Sequence, residues 1–85
     1  MRTLANEVGR YKIRVNAVCP GMVRTDLWTP VAGPDPTPLY EATGAALPVG
    51  RVGEPDDIAA TYLYLMGEAF STGSVVLVDG GHLVA

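Results

Sequence analysis

With 85 residues, of which 48% are hydrophobic, and a formal net charge of −3, the chain is small for a folded unit; at this size only about 60% or a little more of the unfolded surface is buried, so one thin core is the most it can build. No apolar stretch approaches the roughly 18 residues that cross a bilayer, and no basic leader with an apolar run and small-residue cleavage site marks it for secretion, so a membrane partner is not expected. One cysteine makes a cytoplasmic setting the default.

The basic residues Arg2, Arg10, Lys12, Arg14 and Arg24 gather in the first 24 positions while acids dominate the rest. "RYKIR" is too short for a basic stripe and lacks motif support, so nucleic acid is not an expected partner and the cluster reads as a solvated helix end. "TLANEVGRYK" sets Leu4, Ala5 and Val8 on one helical face and reaches Gly9, where a helix can fray. The helical pattern follows Met1 at once, with Thr3 as the one capping residue nearby, which suggests an element whose first turns lie upstream. "KIRVNAVC" alternates Ile13, Val15 and Ala17 with Arg14, Asn16 and Val18 and is rich in β-branched residues, so Ile13 to Val18 is expected as a strand.

"VCPGMVRT" then breaks the chain with Pro20 and Gly21. The following segment, residues 26–50, carries Pro30, Pro34, Pro36, Pro38 and Pro48, which argues against a long regular element. Its length suits a functional lid. Trp28, Val31, Leu39 and Tyr40 give such a lid something to cover, the alternative being a loop that packs them onto its own domain. "GEPDDIAATYLYLMG" is the clearest helix. Pro55 suits its first turn, Asp56 and Asp57 suit its positive end, Ile58, Ala59, Tyr62 and Met66 share a face flanked by Leu63 and Leu65, and Gly67 is suited to a left-handed close. In "SVVLVDGG" the run Val75 to Val78 has the pattern of a strand buried on both faces of a parallel sheet.

The order is helix, strand, long loop, helix, strand, which makes an α/β crossover with its two strands parallel. Two strands expose most of their ladder, so further strands from elsewhere are expected to complete the sheet. Cys19 reads as a small buried thiol, because no basic partner pattern surrounds it. His82 stands alone, and neither a metal site nor a general base is expected there. If Ile13 to Val18 is a strand, the Pro-Gly turn lies beyond its carboxyl end, where ligands of open α/β sheets sit. Pro20 fixes the backbone and Gly21 lacks a side chain, so the pair forms a thin wall. Met22, Val23 and Arg24 offer backbone N–H groups, and the Thr25 hydroxyl caps a helical turn or reaches a ligand oxygen.

"IRVNAVCPGMVRT", "LPVGRVGEPDDIAATYLYL" and "TGSVVLVDGG", in this order, resemble the C-terminal third of the short-chain dehydrogenase/reductase family. The resemblance covers nearly all of the chain. It implies the last two strands of a Rossmann-type doubly wound parallel sheet in a partial domain spanning residues 1–85, with a substrate lid between the strands. It implies a nicotinamide cofactor, NAD or NADP, held in the complete enzyme by Pro20, Gly21, Val23 and Thr25, with the Val23 backbone meeting the carboxamide. Met22, Trp28, Leu39 and Tyr40 are the implied substrate contacts, the substrate being a small alcohol or ketone. Asn16 and Arg51 match family positions and are read as structural, and the Asp79-Gly80-Gly81 motif lies near a subunit contact, so a homo-oligomer is expected.

The family's chemistry needs a glycine-rich turn for the pyrophosphate and a tyrosine with a lysine four residues on. Here Tyr11, Tyr40, Tyr62 and Tyr64 are followed at that distance by Val15, Gly44, Met66 and Glu68, and no G-x-x-x-G-x-G spacing occurs. The resemblance therefore implies a fragment of an NAD(P)-dependent oxidoreductase with no catalytic residue of its own, inactive alone. The alternative is a non-catalytic remnant that acts as an interaction module with related subunits.

Overall fold

The computed structural model describes residues 1–25, 30 and 33–84. Helix α1 (Arg2–Val8) runs into a single 3-10 turn at Gly9–Tyr11, and Lys12 leaves it in the left-handed region at φ 60°. Strand β1 (Ala17–Pro20), helix α2 (Thr37–Ala46), helix α3 (Pro55–Gly67) and strand β2 (Val75–Val78) follow. The two strands are parallel, with Ala17 opposite Val75 and Pro20 opposite Val78. Helix α3 packs on both strands. This is the expected crossover. Among the described residues no helix is long and apolar enough to cross a membrane.

Strand β1 is shorter and later than the alternation predicts. Val15 N–H donates to the Thr72 hydroxyl at 3.2 Å, Gly73 N–H donates to Val15 C=O at 2.7 Å, and the Asn16 amide spans Ser71 C=O and Ser74 N–H at 3.0 and 3.1 Å. The first residues of the expected strand thus lie against the turn before β2, bonded to it through the Gly73 backbone, the Thr72 hydroxyl and the side chain of Asn16. Asn16 has the structural role expected of it. The ladder takes the N–H groups of Ala17 (to Ser74) and Gly21 (to Val78), so the nitrogen of Pro20 falls on the open edge and its missing donor costs no bond there.

Three further expectations are corrected. Strand β2 is covered on one face only: Val76 and Val78 are half-buried beneath α3, while Val75 and Leu77 are exposed. Cys19, in register with Leu77, shares that uncovered face and is exposed, not buried. Gly67 ends α3 without a left-handed conformation, since it is not among the glycines with positive φ and the chain continues extended at Glu68.

The segment expected as a loop contains helix α2. Pro30, Pro34 and Pro36 precede the helix, Pro48 follows it, and Pro38 occupies the first turn, where a missing N–H breaks no helical bond. Hydrogen bonding from Thr37, first from its hydroxyl and then from its backbone N–H at 3.1 Å, holds the Asp35 carboxyl below its ordinary value. Tyr40, Gly44 and Leu47 recur at i, i+4 and i+7 and are all buried, so α2 is docked along a continuous seam. At Gly44 a Cβ would lie 2.8 Å from Arg51 Cα and 2.9 Å from Val52 N. Only glycine permits that approach.

Candidate functional site: the Pro-Gly turn

The turn after β1 is stitched to the segment before α3. Gly53 N–H donates to Met22 C=O and Arg24 N–H donates to Gly53 C=O, both at 2.9 Å, forming a parallel bridge between Val23 and Gly53. In such a bridge the neighbours of Val23 face the partner, and the N–H and C=O of Val23 itself point the other way. Among the described residues nothing engages either group. Val23 therefore presents one donor and one acceptor side by side, the complement of a primary amide. Arg24, expected to offer its N–H, has committed it to Gly53.

Gly21 has a packing reason for being glycine. A Cβ there would stand 2.9 Å from Asp79 Cα and 3.1 Å from its Cβ, and its φ is not positive. The face expected to lie against a flat ring is filled by the chain leaving β2. Asp79 is fixed in turn, since its carboxylate accepts from Gly81 N–H at 3.0 Å and Leu83 N–H at 3.3 Å. Pro20 is exposed at the carboxyl end of β1. Met22 lines a cavity of about 190 Å³ with Leu47, Ile58, Val78 and Asp79, beneath the turn.

The Thr25 peptide is held by α2. The Tyr40 hydroxyl donates to Thr25 C=O at 2.8 Å and accepts from Thr25 N–H at 3.2 Å. Arg24 lies over the Tyr40 ring at 4.7 Å from its centre and donates through Nε to Glu54 at 3.0 Å. Of the expected substrate contacts, Tyr40 is thus buried against its own domain, Leu39 is half-buried beside it, and Trp28 lies outside the described residues, as does Val31. Nothing in the sequence pattern marks Tyr40 as the partner of Thr25. The pair is 15 residues apart and meets only because α2 forms.

Charge organises the entrance to α3. Arg51 donates to both oxygens of Asp57, at 2.8 and 3.2 Å, and the Asp57 carboxylate also accepts from Glu54 N–H at 2.7 Å. The guanidinium first, and then the Glu54 N–H, hold the Asp57 carboxyl down to about 2. Arg51 is held above its ordinary value by the same pair. Its expected structural role is this clamp. At the other end of α3, the Glu68 carboxyl is lowered by hydrogen bonds from Phe70 and Ser71 and by nearby Arg14.

Residues 1–82 match the protein family described as Enoyl-(Acyl carrier protein) reductase. The chain is 41% identical over 80 residues to Carbonyl reductase family member 4 of Danio rerio, covering 94% of this chain and 31% of the relative. It is also 41% identical over 83 residues to L-fucose dehydrogenase of Bos taurus, with the same two coverages. Among solved structures, a small-chain dehydrogenase in complex with NADPH superposes with a TM-score of 0.89 at 40% identity, over 99% of this chain and 37% of that one. The chain spans about a third of the length of the relatives it matches.

Proposed function

The chain belongs to the short-chain dehydrogenase/reductase family, and we propose that in an NAD(P)-dependent oxidoreductase it forms the wall against the nicotinamide end of the cofactor, with helix α2 and its flanks as substrate cover. The observation that carries this reading is the outward N–H and C=O pair of Val23. The N–H donates to the carboxamide oxygen and the C=O accepts from its amino group, which fixes which face of the ring meets the substrate. Pro20 and Gly21 bring the chain to that edge, and the Thr25 hydroxyl stands two residues on. A nicotinamide cofactor supplies or accepts the hydride; the residues of this chain orient it. The substrate is an alcohol or ketone, met by Met22, Leu39 and Trp28, while the acid and the pyrophosphate turn come from the portion that the relatives carry beyond this match.

The uncovered face of β2 and the exposed Leu63, Tyr64 and Met66 of α3 support association with further polypeptide, both the rest of the fold and a second subunit. The test is a protein that joins residues 1–85 to the amino-terminal portion of the NADPH-bound relative, followed by nicotinamide fluorescence. Saturable NADPH binding by the joined protein is expected, weakened about fivefold in Thr25→Val through loss of one hydrogen bond. The isolated chain is expected to show no saturable binding in the low micromolar range. A joined protein that folds and binds no NADPH overturns the proposal.

A further inference from the structure

We infer that Tyr40 is a positioning residue for the turn, a latch through which helix α2 sets the place of the Thr25 peptide. Three observations carry this. One hydroxyl makes both bonds to the same residue, donating to Thr25 C=O at 2.8 Å and accepting from its N–H at 3.2 Å, so the peptide is gripped in position and orientation together. The ring that carries the hydroxyl has no freedom to follow a moving turn. It is buried on the docked seam of α2, Gly44 one helical turn on lies against the Arg51 backbone, and the Arg24 guanidinium, itself tied to Glu54, closes over its face. Finally, the residue before Thr25 is pinned from a different segment, since Arg24 N–H is bonded to Gly53. Without Tyr40 the Arg24 bond to Gly53 stays, while both of these bonds to the Thr25 backbone are lost.

The consequence deepens the reading of the turn as a nicotinamide wall and rests on it. Anything that seats or shifts α2, including a substrate held beneath its flanks, changes the place of Thr25 and so cofactor affinity, and by linkage cofactor changes the affinity of what α2 covers by the same factor. Tyr40 then acts through Thr25 and touches neither ligand.

Amide hydrogen exchange of the 85-residue chain tests the latch directly, comparing the parent with Tyr40→Phe, which keeps the ring and removes the hydroxyl. The expected result is exchange about tenfold faster or more at Thr25, with Gly21 and Arg24, bonded to Val78 and Gly53, changed by less than about twofold. Equal acceleration at all three amides, loss of folding, or an unchanged Thr25 overturns the inference, the first two because they make Tyr40 a residue of the fold alone. No cofactor is present in that measurement, so it decides the latch whether or not the turn meets nicotinamide. In the joined enzyme the same substitution is expected to weaken NADPH binding about tenfold. A parent joined enzyme without NADPH affinity would count against the nicotinamide wall and leave the exchange result standing.

Discussion

Tyr40, Leu47 and Val52 are 3%, 8% and 4% exposed, whereas Val75 and Leu77 on strand β2 are 44% and 53% exposed. The first group lies in and just after the proline-rich segment, the second in the strand with the most apolar run. Helix α2 closes its surroundings with a seam of three residues, a glycine contact and a tyrosine hydroxyl. The sheet has α3 on one face, and on the other Cys19, Val75 and Leu77 are exposed. Apolar composition states what a segment is able to bury; whether it is buried depends on what the rest of the chain lays against it. In this chain the cover is at the loop.

Paired truncations give the largest effect that bears on this contrast. Leu47→Ala removes a buried side chain beside the cavity and is expected to cost about 2–3 kcal/mol, while Leu77→Ala is expected to cost under about 1 kcal/mol, read from urea midpoints. Equal losses would mean that the exposed face of β2 is covered in solution. A glycine pair comes next. Gly44→Ala gains about 1 kcal/mol of helix propensity, yet its Cβ meets backbone 2.8 Å away, so a net loss of about 2 kcal/mol is expected. At Gly67→Ala nothing lies within 4 Å, and a gain of up to about 1 kcal/mol is expected. A stabilised Gly44→Ala would show that α2 is free to lift from Arg51, and the seam would be no seam.

How much of this was legible in the sequence follows the same division. Helix α3 was readable because Pro55, Asp56 and Asp57 mark its start and its apolar spacing is regular. Strand β2 was readable from its unbroken run of β-branched residues and leucine. Helix α2 was not, because three prolines ahead of it and Pro38 in its first turn hide a proline-free stretch after Pro38, and because Gly44 weakens the helical signal at the very position where close approach demands glycine. The start of β1 lies later than the alternation of Ile13 to Asn16 implies, because Arg14 to Asn16 bond to the turn at 71–74 in place of a neighbouring strand. At the candidate site the Pro-Gly turn was legible from its motif and the interest of Val23 only through the family resemblance, whereas the Tyr40 bond to Thr25 depends on a helix the pattern concealed. The Pro-Gly motif suggests one purpose for Gly21, a thin wall, and the position of Asp79 supplies a second, close packing.

That second purpose has its own test, smaller in size. Gly21→Ala sets a Cβ against Asp79 and is expected to lower apo stability by about 1–2 kcal/mol, seen as a lower melting temperature without any cofactor. If stability were untouched and only cofactor binding fell, the thin-wall account would replace the packing account. The smallest effect is electrostatic. Asp57 is ordinarily near 3.8 and is held at about 2 in the fold, so its contribution is complete above about 3.8 and is lost as pH falls through about 2. The parent melt should fall more steeply across that window than the melt of Asp57→Asn. The clamp is solvent-exposed, with Arg51 and Asp57 side chains 59% and 37% accessible, so salt should reduce the difference. Parallel pH profiles would show that the clamp does not hold the entrance to α3.

The central claim is that Val23 turns its own N–H and C=O outward to meet a carboxamide. It is tested most directly by following the Val23 amide signal by NMR in the joined enzyme while adding NADPH, and then an analogue whose ring lacks the carboxamide group. The account predicts that the Val23 amide moves among the most of all turn residues with NADPH and returns close to its unliganded position with the analogue. A Val23 amide that stays in place while NADPH binds, or that responds equally to both ligands, would contradict it.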